Sequence, residues 1–492
     1  MHPHHEPAPR VDQDSSPYAD ALLAYAAAGR QRFTTPGHQA DAAGQPLLAG
    51  LLGERVLTLD VQPTVEGVDH GPGNAMEHSL GLAADAWGAR RTWLLTNGSS
   101  QGNLTACLAL SGLGDTIVAQ RSVHSSVIDG LMLSGLVAEF VLPSVDHHLG
   151  IEHGVTPEAL DAALEAAPHA VAAYVVTPSY FGACSDVPAL AETAHRHGAA
   201  LVVDEAWGAH FGFHPSLPTN AARLGADLVI ASMHKLGGSL GQTAVLHLGH
   251  GRYADRLEPL VERAFRSLQS TSESAILLAS LDLARRQLAA HGGESIGRSV
   301  AAAARLRERV SADGRFRDAT ALLTAYPDVV DVDPLHVVIE TRSGGISGHE
   351  ARSLLFQEHG QHLEMATDDV VVVLVGAGVR PDVDALADAL LRLPVSESAS
   401  RHHIELPDPG ARRMTVREAW FSPTEVVAAR DAVGRVSADS VAAYPPGIPN
   451  LMPGEEITAA TLEFLHEVAA APFGHVRGAI DPDLSRVRVV AR

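Results

Sequence analysis

Leu201-Val202-Val203-Asp204-Glu205-Ala206-Trp207 and, beyond the next apolar run, Ser232-Met233-His234-Lys235 are the stretches whose reading decides the fold. The first is an apolar strand that ends on an acid. A carboxylate there faces the crevice at the carboxyl edge of a sheet, and burying it costs roughly several kcal/mol unless a cation or strong donor meets it. An isolated aspartate in this position often does no more than cap the next helix. The second stretch holds the one lysine among 36 Lys and Arg residues. Arginine supplies surface charge and ion pairs, but it cannot shed its proton at ordinary pH to become a nucleophilic amine. A lysine kept where every other cation is arginine points to Schiff-base chemistry at Lys235. The alternative is an arginine-biased composition that left one lysine by chance.

Working outward, apolar runs at 92–95, 116–119, 137–142, 171–176, 200–203 and 227–230 alternate with helical patterns such as 103–110, 157–166 and 187–197. Strands alternating with helices predict crossover units and a mostly parallel sheet covered on both faces. Ligands of such sheets sit at the carboxyl ends of the strands. Residues 274–312 read as two long helices broken near His291-Gly292-Gly293. The pattern restarts at 335–340, 350–358, 370–375 and 383–393, which predicts a second, smaller α/β domain. We divide the chain into an N-terminal arm and helix (1–75), a large domain (76–325), a small domain (326–400) and a C-terminal segment (401–492), with a linker at 396–400.

Composition narrows the classes. At 492 residues and 46% hydrophobic, the chain has material for two or three domains. A formal charge of −22 opposes the clustered cations that nucleic acid requires. Cys107 and Cys184 lack metal-type spacing, so neither a disulfide framework nor a metal site is expected, and a cytoplasmic setting fits. The first ten residues have no apolar core of signal-peptide type, and no apolar run reaches membrane-spanning length. His2, His4 and His5 read as a frayed tail rather than a metal site.

Asn97-Gly98-Ser99-Ser100-Gln101-Gly102-Asn103 follows the first apolar run and opens a helix. Backbone N–H groups and two hydroxyls converge there beside the positive end of a helix dipole, an arrangement suited to a dianionic phosphate or to plain capping. Neither the phosphate-loop lysine pattern nor the dinucleotide glycine pattern is present. His124, in Arg121-Ser122-Val123-His124-Ser125-Ser126, begins the segment after the second run and could stack on an aromatic ring or serve structure alone.

Phosphate loop, histidine, strand-end aspartate and lysine, in that order, resemble the fold-type-I pyridoxal 5′-phosphate enzymes, with an aspartate-aminotransferase-like large domain and a seven-stranded sheet. Within them the chain resembles the ornithine/lysine/arginine decarboxylase family in its short form. The supporting strings are Thr35-Pro36-Gly37-His38, Thr177-Pro178-Ser179-Tyr180-Phe181-Gly182, Asp204 through Phe211, Ser232 through Lys235, and Ser270-Thr271-Ser272. A tail signature, Tyr444-Pro445-Pro446-Gly447-Ile448-Pro449 with Pro453-Gly454-Glu455, is the most specific of them.

The resemblance implies roles. Lys235 would form the Schiff base with the cofactor, Asp204 would hold the ring nitrogen protonated, and His124 would stack on the ring. Ser99, Ser100, Ser232 and His234 would contact the phosphate with the amides of Ser99 to Gln101. Ser270 and Thr271 would reach the phosphate of a neighbouring subunit, which implies a homodimer with sites at its interface and leaves higher assembly open. Glu364 would receive the distal amine or guanidinium of the substrate. The sequence departs from the family at Met233 (usually threonine), Glu273 (proline), Ser125 (lysine) and Trp207 (often histidine). The implied activity is decarboxylation of arginine, lysine or ornithine to an amine, as in polyamine biosynthesis. Within the same fold the alternative is an aminotransferase or other lyase, for which Arg380 is the candidate carboxylate clamp; a non-catalytic relative is a third reading.

Overall fold

Each of the six apolar runs forms a strand of one sheet: β1 (Arg91–Leu95), β2 (Thr116–Gln120), β3 (Val137–Val141), β4 (Ala172–Val176), β5 (Ala200–Asp204) and β6 (Leu228–Ala231). A seventh, β7 (Ala244–Leu248), completes the order β1-β7-β6-β5-β4-β2-β3. The pairs of β2 with β3 and β4, of β4 with β5 and of β5 with β6 are parallel, whereas β7 runs antiparallel to both β1 and β6. The structure is a computed structural model that describes residues 12–146, 149–395, 406–444, 448–470 and 475–492. His2, His4, His5, the 396–400 linker and Pro445-Pro446-Gly447 therefore lie outside the described residues.

Ahead of the sheet run α1 (Pro17–Ala27) and α2 (Ala75–Trp87); α3 (Gly98–Leu110), α4 (Ser125–Ser134), α5 (Pro157–Ala166), α6 (Val187–Arg196) and α7 (Ala254–Leu268) connect or flank its strands. Two-residue periodicity sorts the side chains. Val202 and Ile230 join Cys107, Leu131 and Val261 of α3, α4 and α7, while Leu201, Val203 and Val229 join Leu160 and Leu190 of α5 and α6. Every residue of β4, β5, β6 and β7 is buried, as expected for strands covered on both faces.

The break expected near His291-Gly292-Gly293 does not occur. Ala275–Asp313 is one continuous helix, α8. Two glycines should weaken a helix interior by about 1 kcal/mol each. Here Gly292 lies against the Phe213 carbonyl, where a Cβ would sit 3.2 Å from the oxygen, so a small residue lets the helix pack on that loop. Asp282 and Arg285 of α8 are buried, and Asp282 accepts from the amides of Tyr18 and Ala19, capping α1 from a distance.

Beyond α8, β8 (Arg317–Asp318), β9 (His336–Glu340), β10 (Met365–Ala366) and β11 (Val370–Leu374) form an antiparallel sheet ordered β8-β9-β11-β10, with α9 (Gly348–His359) and α10 (Val383–Leu391) packed on it. One apolar cluster runs from Trp87 and Leu94 through Leu281 and Leu306 of α8 to Val371 and Leu386. The C-terminal segment adds β12 (Thr424–Ala428) paired with Arg486–Val490, and a three-stranded sheet of Val441–Tyr444, Pro449–Leu451 and His475–Arg477. Cys107 and Cys184 are free and buried, and burial pushes the Cys107 thiol up to about 12. Among the described residues no group of His, Cys, Asp and Glu could hold a metal, and no helix is long and apolar enough to cross a membrane.

Candidate active site

Asp204 closes β5 and is 3% exposed. Its Oδ2 accepts from Asn103 Nδ2 at 3.0 Å and its Oδ1 from the amide of Ala206 at 3.1 Å. Asn103 in turn accepts from the Tyr174 hydroxyl at 2.9 Å and donates to Ser126 Oγ at 3.0 Å. Burial, and then the Asp204 charge, push the Tyr174 hydroxyl far above the usual phenol range, so it stays a donor. The acid is thus held by neutral donors, which leave it free to meet a cation.

His124 caps α4. Its Nδ1 accepts from the amide of Ser126 at 3.2 Å and lies 2.8 Å from the Ser126 hydroxyl, which orients the ring on the same network. Burial lowers its basicity, Asp204 opposes that shift, and the charges of Lys235 and Arg477 add to it. The imidazole is therefore neutral near pH 7, a state suited to stacking.

Lys235 Nζ lies 3.8 Å from the ring centre of Trp207 and 5.9 Å from that of Tyr180. This aromatic wall strips water from the amine. Burial pulls its pKa down to about 8 against the opposing pull of the Asp204 and Glu364 carboxylates. A larger share of Lys235 is then the free amine near neutrality, which a nucleophile requires. Behind Trp207, the wholly buried Asp333 lies 3.0 Å from His210 Nε2 and 2.7 Å from His336 Nδ1. His336 meets the Trp207 ring edge-on at 5.7 Å, so this cluster ties the start of β9 to the wall.

At the start of α3 the hydroxyls of Ser99 and Ser232 are 2.7 Å apart and buried. Ser99 and Ser100 occupy the first turn of α3, where helix N–H groups have no partner within the helix, while the amide of Gln101 donates to the Asn97 carbonyl at 3.4 Å. Gly98, at φ +70°, turns the chain into that helix. His234 Nδ1 lies 2.9 Å from the Thr243 carbonyl oxygen.

Ser270 and Thr271 behave differently. They are exposed beyond α7, with the Ser270 hydroxyl 3.1 Å from that of Ser272. Gln269 before them accepts from Gln101 Nε2 at 2.5 Å, which fixes the segment beside its own cradle without turning its hydroxyls inward. Glu364 is exposed just before β10, and its charge acts on Lys235. Arg380 is exposed on the loop before α10.

The four departures from the family pattern resolve physically. Met233 is wholly buried in the apolar cluster with Trp87 and Val245, so its side chain serves packing. Trp207 forms the wall over the lysine, Glu273 accepts from Gln269, and Ser125 accepts from Arg477 at 3.2 Å. Sequence reading missed Asn103 as the partner of Asp204, as well as Tyr174, Ser126 and Arg477. Asn103 and Ser126 stood in quoted motifs, whereas Tyr174 lies inside an apolar strand and Arg477 in an unremarked stretch.

Models of the Orn/Lys/Arg decarboxylase major domain and C-terminal domain match residues 16–354 and 405–472. The chain belongs to this family. It is 32% identical over 490 residues to an arginine decarboxylase of Bacillus subtilis, covering 98% of this chain and 99% of the relative. The solved Escherichia coli constitutive lysine decarboxylase superposes with a TM-score of 0.80 at 22% identity, over 98% of this chain and 82% of that one. A structure of SPT with PLP superposes with a TM-score of 0.51 at 18% identity, over 73% and 83%. The large fold is thus that of fold-type-I enzymes, and family membership makes the chain a pyridoxal-phosphate-dependent amino-acid decarboxylase. The residues present fit that cofactor: hydroxyls and helix amides at one end for the phosphate, an amine between, and a buried acid at the other end for a protonated ring nitrogen.

Proposed function

We propose that this protein decarboxylates arginine to agmatine in the cytoplasm, as a step of polyamine formation, and works as a homodimer. One observation carries the site assignment: the only lysine is desolvated by Trp207 at the sheet edge where Asp204 ends β5. Arginine is favoured over lysine and ornithine because relatives aligned over nearly the whole chain are named arginine decarboxylase. The bound cofactor supplies an electron sink for cleavage at Cα. Lys235 would hold the cofactor covalently and reclaim it when product leaves. Asp204 would keep the ring nitrogen protonated, and His124 would lie on the ring face. Ser99, Ser100, Gln101, Ser232 and His234 would hold the phosphate, joined by Ser270 and Thr271 of a second copy. Glu364 would take the guanidinium. We keep 1–75, 76–325, 326–400 and 401–492 as the functional units, with β8 (Arg317–Asp318) of the second pairing into the sheet of the third.

The test is the purified protein with pyridoxal phosphate, given arginine, lysine and ornithine separately, with carbon dioxide and amine products measured. Agmatine and carbon dioxide from arginine are expected. Keto-acid formation without carbon dioxide would instead establish the transaminase reading and make Arg380 its first suspect.

A further inference from the structure

The C-terminal segment grips the turn that carries His124 from both sides. On one side Arg121, at the end of β2, makes a two-pronged ion pair with Glu455 at 2.6 and 2.7 Å; both side chains are buried, and Arg121 Nε also donates to the Pro449 carbonyl at 3.1 Å. Glu455 is aimed by its own backbone. Its Oε2 accepts from the amide of Met452 at 3.1 Å, and Gly454 before it stands at φ +93° with a Cβ position only 2.3 Å from the Met414 carbonyl oxygen. No residue but glycine fits there. On the other side Arg477 Nη2 donates to Ser125 Oγ at 3.2 Å, one residue past His124. Between the two grips lies His124, and the hydroxyl of Ser126, one residue past the second grip, joins its ring to Asn103 and so to Asp204.

We propose that the C-terminal segment is part of the cofactor site, with Arg121, Glu455 and Arg477 as positioning residues that hold the 121–126 turn and aim the His124 ring over Asp204 and Lys235. Arg477 places a cation beside Ser125, the position where the family usually carries lysine. A buried bidentate pair is a rigid, directional link, and its loss leaves an uncompensated charge. The exposed Arg477 contact can be removed without that cost. The inference rests on the assignment of the cofactor site above.

The test compares wild type with Arg477→Met, Arg477→Lys and Glu455→Gln. Far-ultraviolet circular dichroism and melting serve as the fold control, with the pyridoxal-phosphate dissociation constant and the visible circular dichroism of bound cofactor as readouts. Arg477→Met should weaken cofactor binding about tenfold, corresponding to ~1.4 kcal/mol, and alter the visible band with the fold intact. Arg477→Lys should restore both. Glu455→Gln should do the same or more and lower the melting point. A structural role alone would move melting and leave the visible band unchanged. Wild-type binding and visible signal in Arg477→Met and Glu455→Gln alike would overturn the inference while leaving the site assignment standing. A wild type that binds no pyridoxal phosphate would overturn both.

Discussion

The two ends of the proposed cofactor site, one for the ring and one for the phosphate, are built on different terms. At the ring end Asp204, Asn103, Tyr174, Ser126 and His124 form a buried network complete within one chain. At the phosphate end Ser99 and Ser232 are buried and paired, yet Ser270 and Thr271 stand exposed. Chemistry at the ring end depends on a fixed charge in a dry place, which one core can guarantee. Holding an anion needs only donors, and donors can come from a second chain.

The ring end should break hardest. Asp204→Asn removes the charge, so kcat should fall by roughly 10²–10³-fold, the scale for losing one preorganised electrostatic partner; its NH2 must also face one of two donors, Asn103 Nδ2 or the Ala206 amide, so melting should fall modestly. Steady-state kinetics beside a thermal melt check this.

The phosphate end should yield less and in a different quantity. Ser270→Ala with Thr271→Ala should raise the dissociation constant for pyridoxal phosphate by about tenfold or more, given ~1.5–3 kcal/mol for a hydrogen bond to a charged group. Both residues are exposed in the single chain, so folding should be indifferent. An unchanged constant would mean that no second copy delivers them.

Tyr174→Phe probes the network one step from the acid. It leaves Asn103 Oδ1 short of a donor in the interior, which should cost about 1 kcal/mol or slightly more in denaturant unfolding. The kcat should drop only a few-fold.

The smallest effect is one of pH. Lys235 has its pKa pulled down from 10.5 to about 8, so its reactive free amine fills in as pH rises through about 8 rather than through 10.5. Cofactor capture by the apoprotein should accelerate through that window and then level. Trp207→Ala, which admits water to the amine, should move the rise to higher pH.

The part of this contrast that was legible in the sequence is the part built from local pattern. Asp204 and Lys235 could be placed because an apolar run ending in an acid, and a solitary lysine, carry their chemistry at their own positions. The sheet could be read for the same reason, since strands buried on both faces are near-continuous apolar runs. The continuity of α8 was hidden because glycine propensity favours a break there, whereas the close approach of Gly292 to Phe213 is a tertiary contact. Tyr174 was hidden because, in an apolar strand, a tyrosine with a buried hydrogen bond looks like any core aromatic. Met233 adjoins His234 in the sequence, yet the turn directs its side chain into the core. The exposure of Ser270 and Thr271 in the single chain is set by how the segment after α7 packs, which no local pattern states.

The most direct test of the central claim uses the fact that this chain has one lysine. Holoprotein reduced with borohydride and digested should carry a single phosphopyridoxyl group on the peptide containing Lys235, and none should appear in Lys235→Ala. A reduced protein with no added mass at Lys235, or with the label on the N-terminal amine instead, would contradict the account.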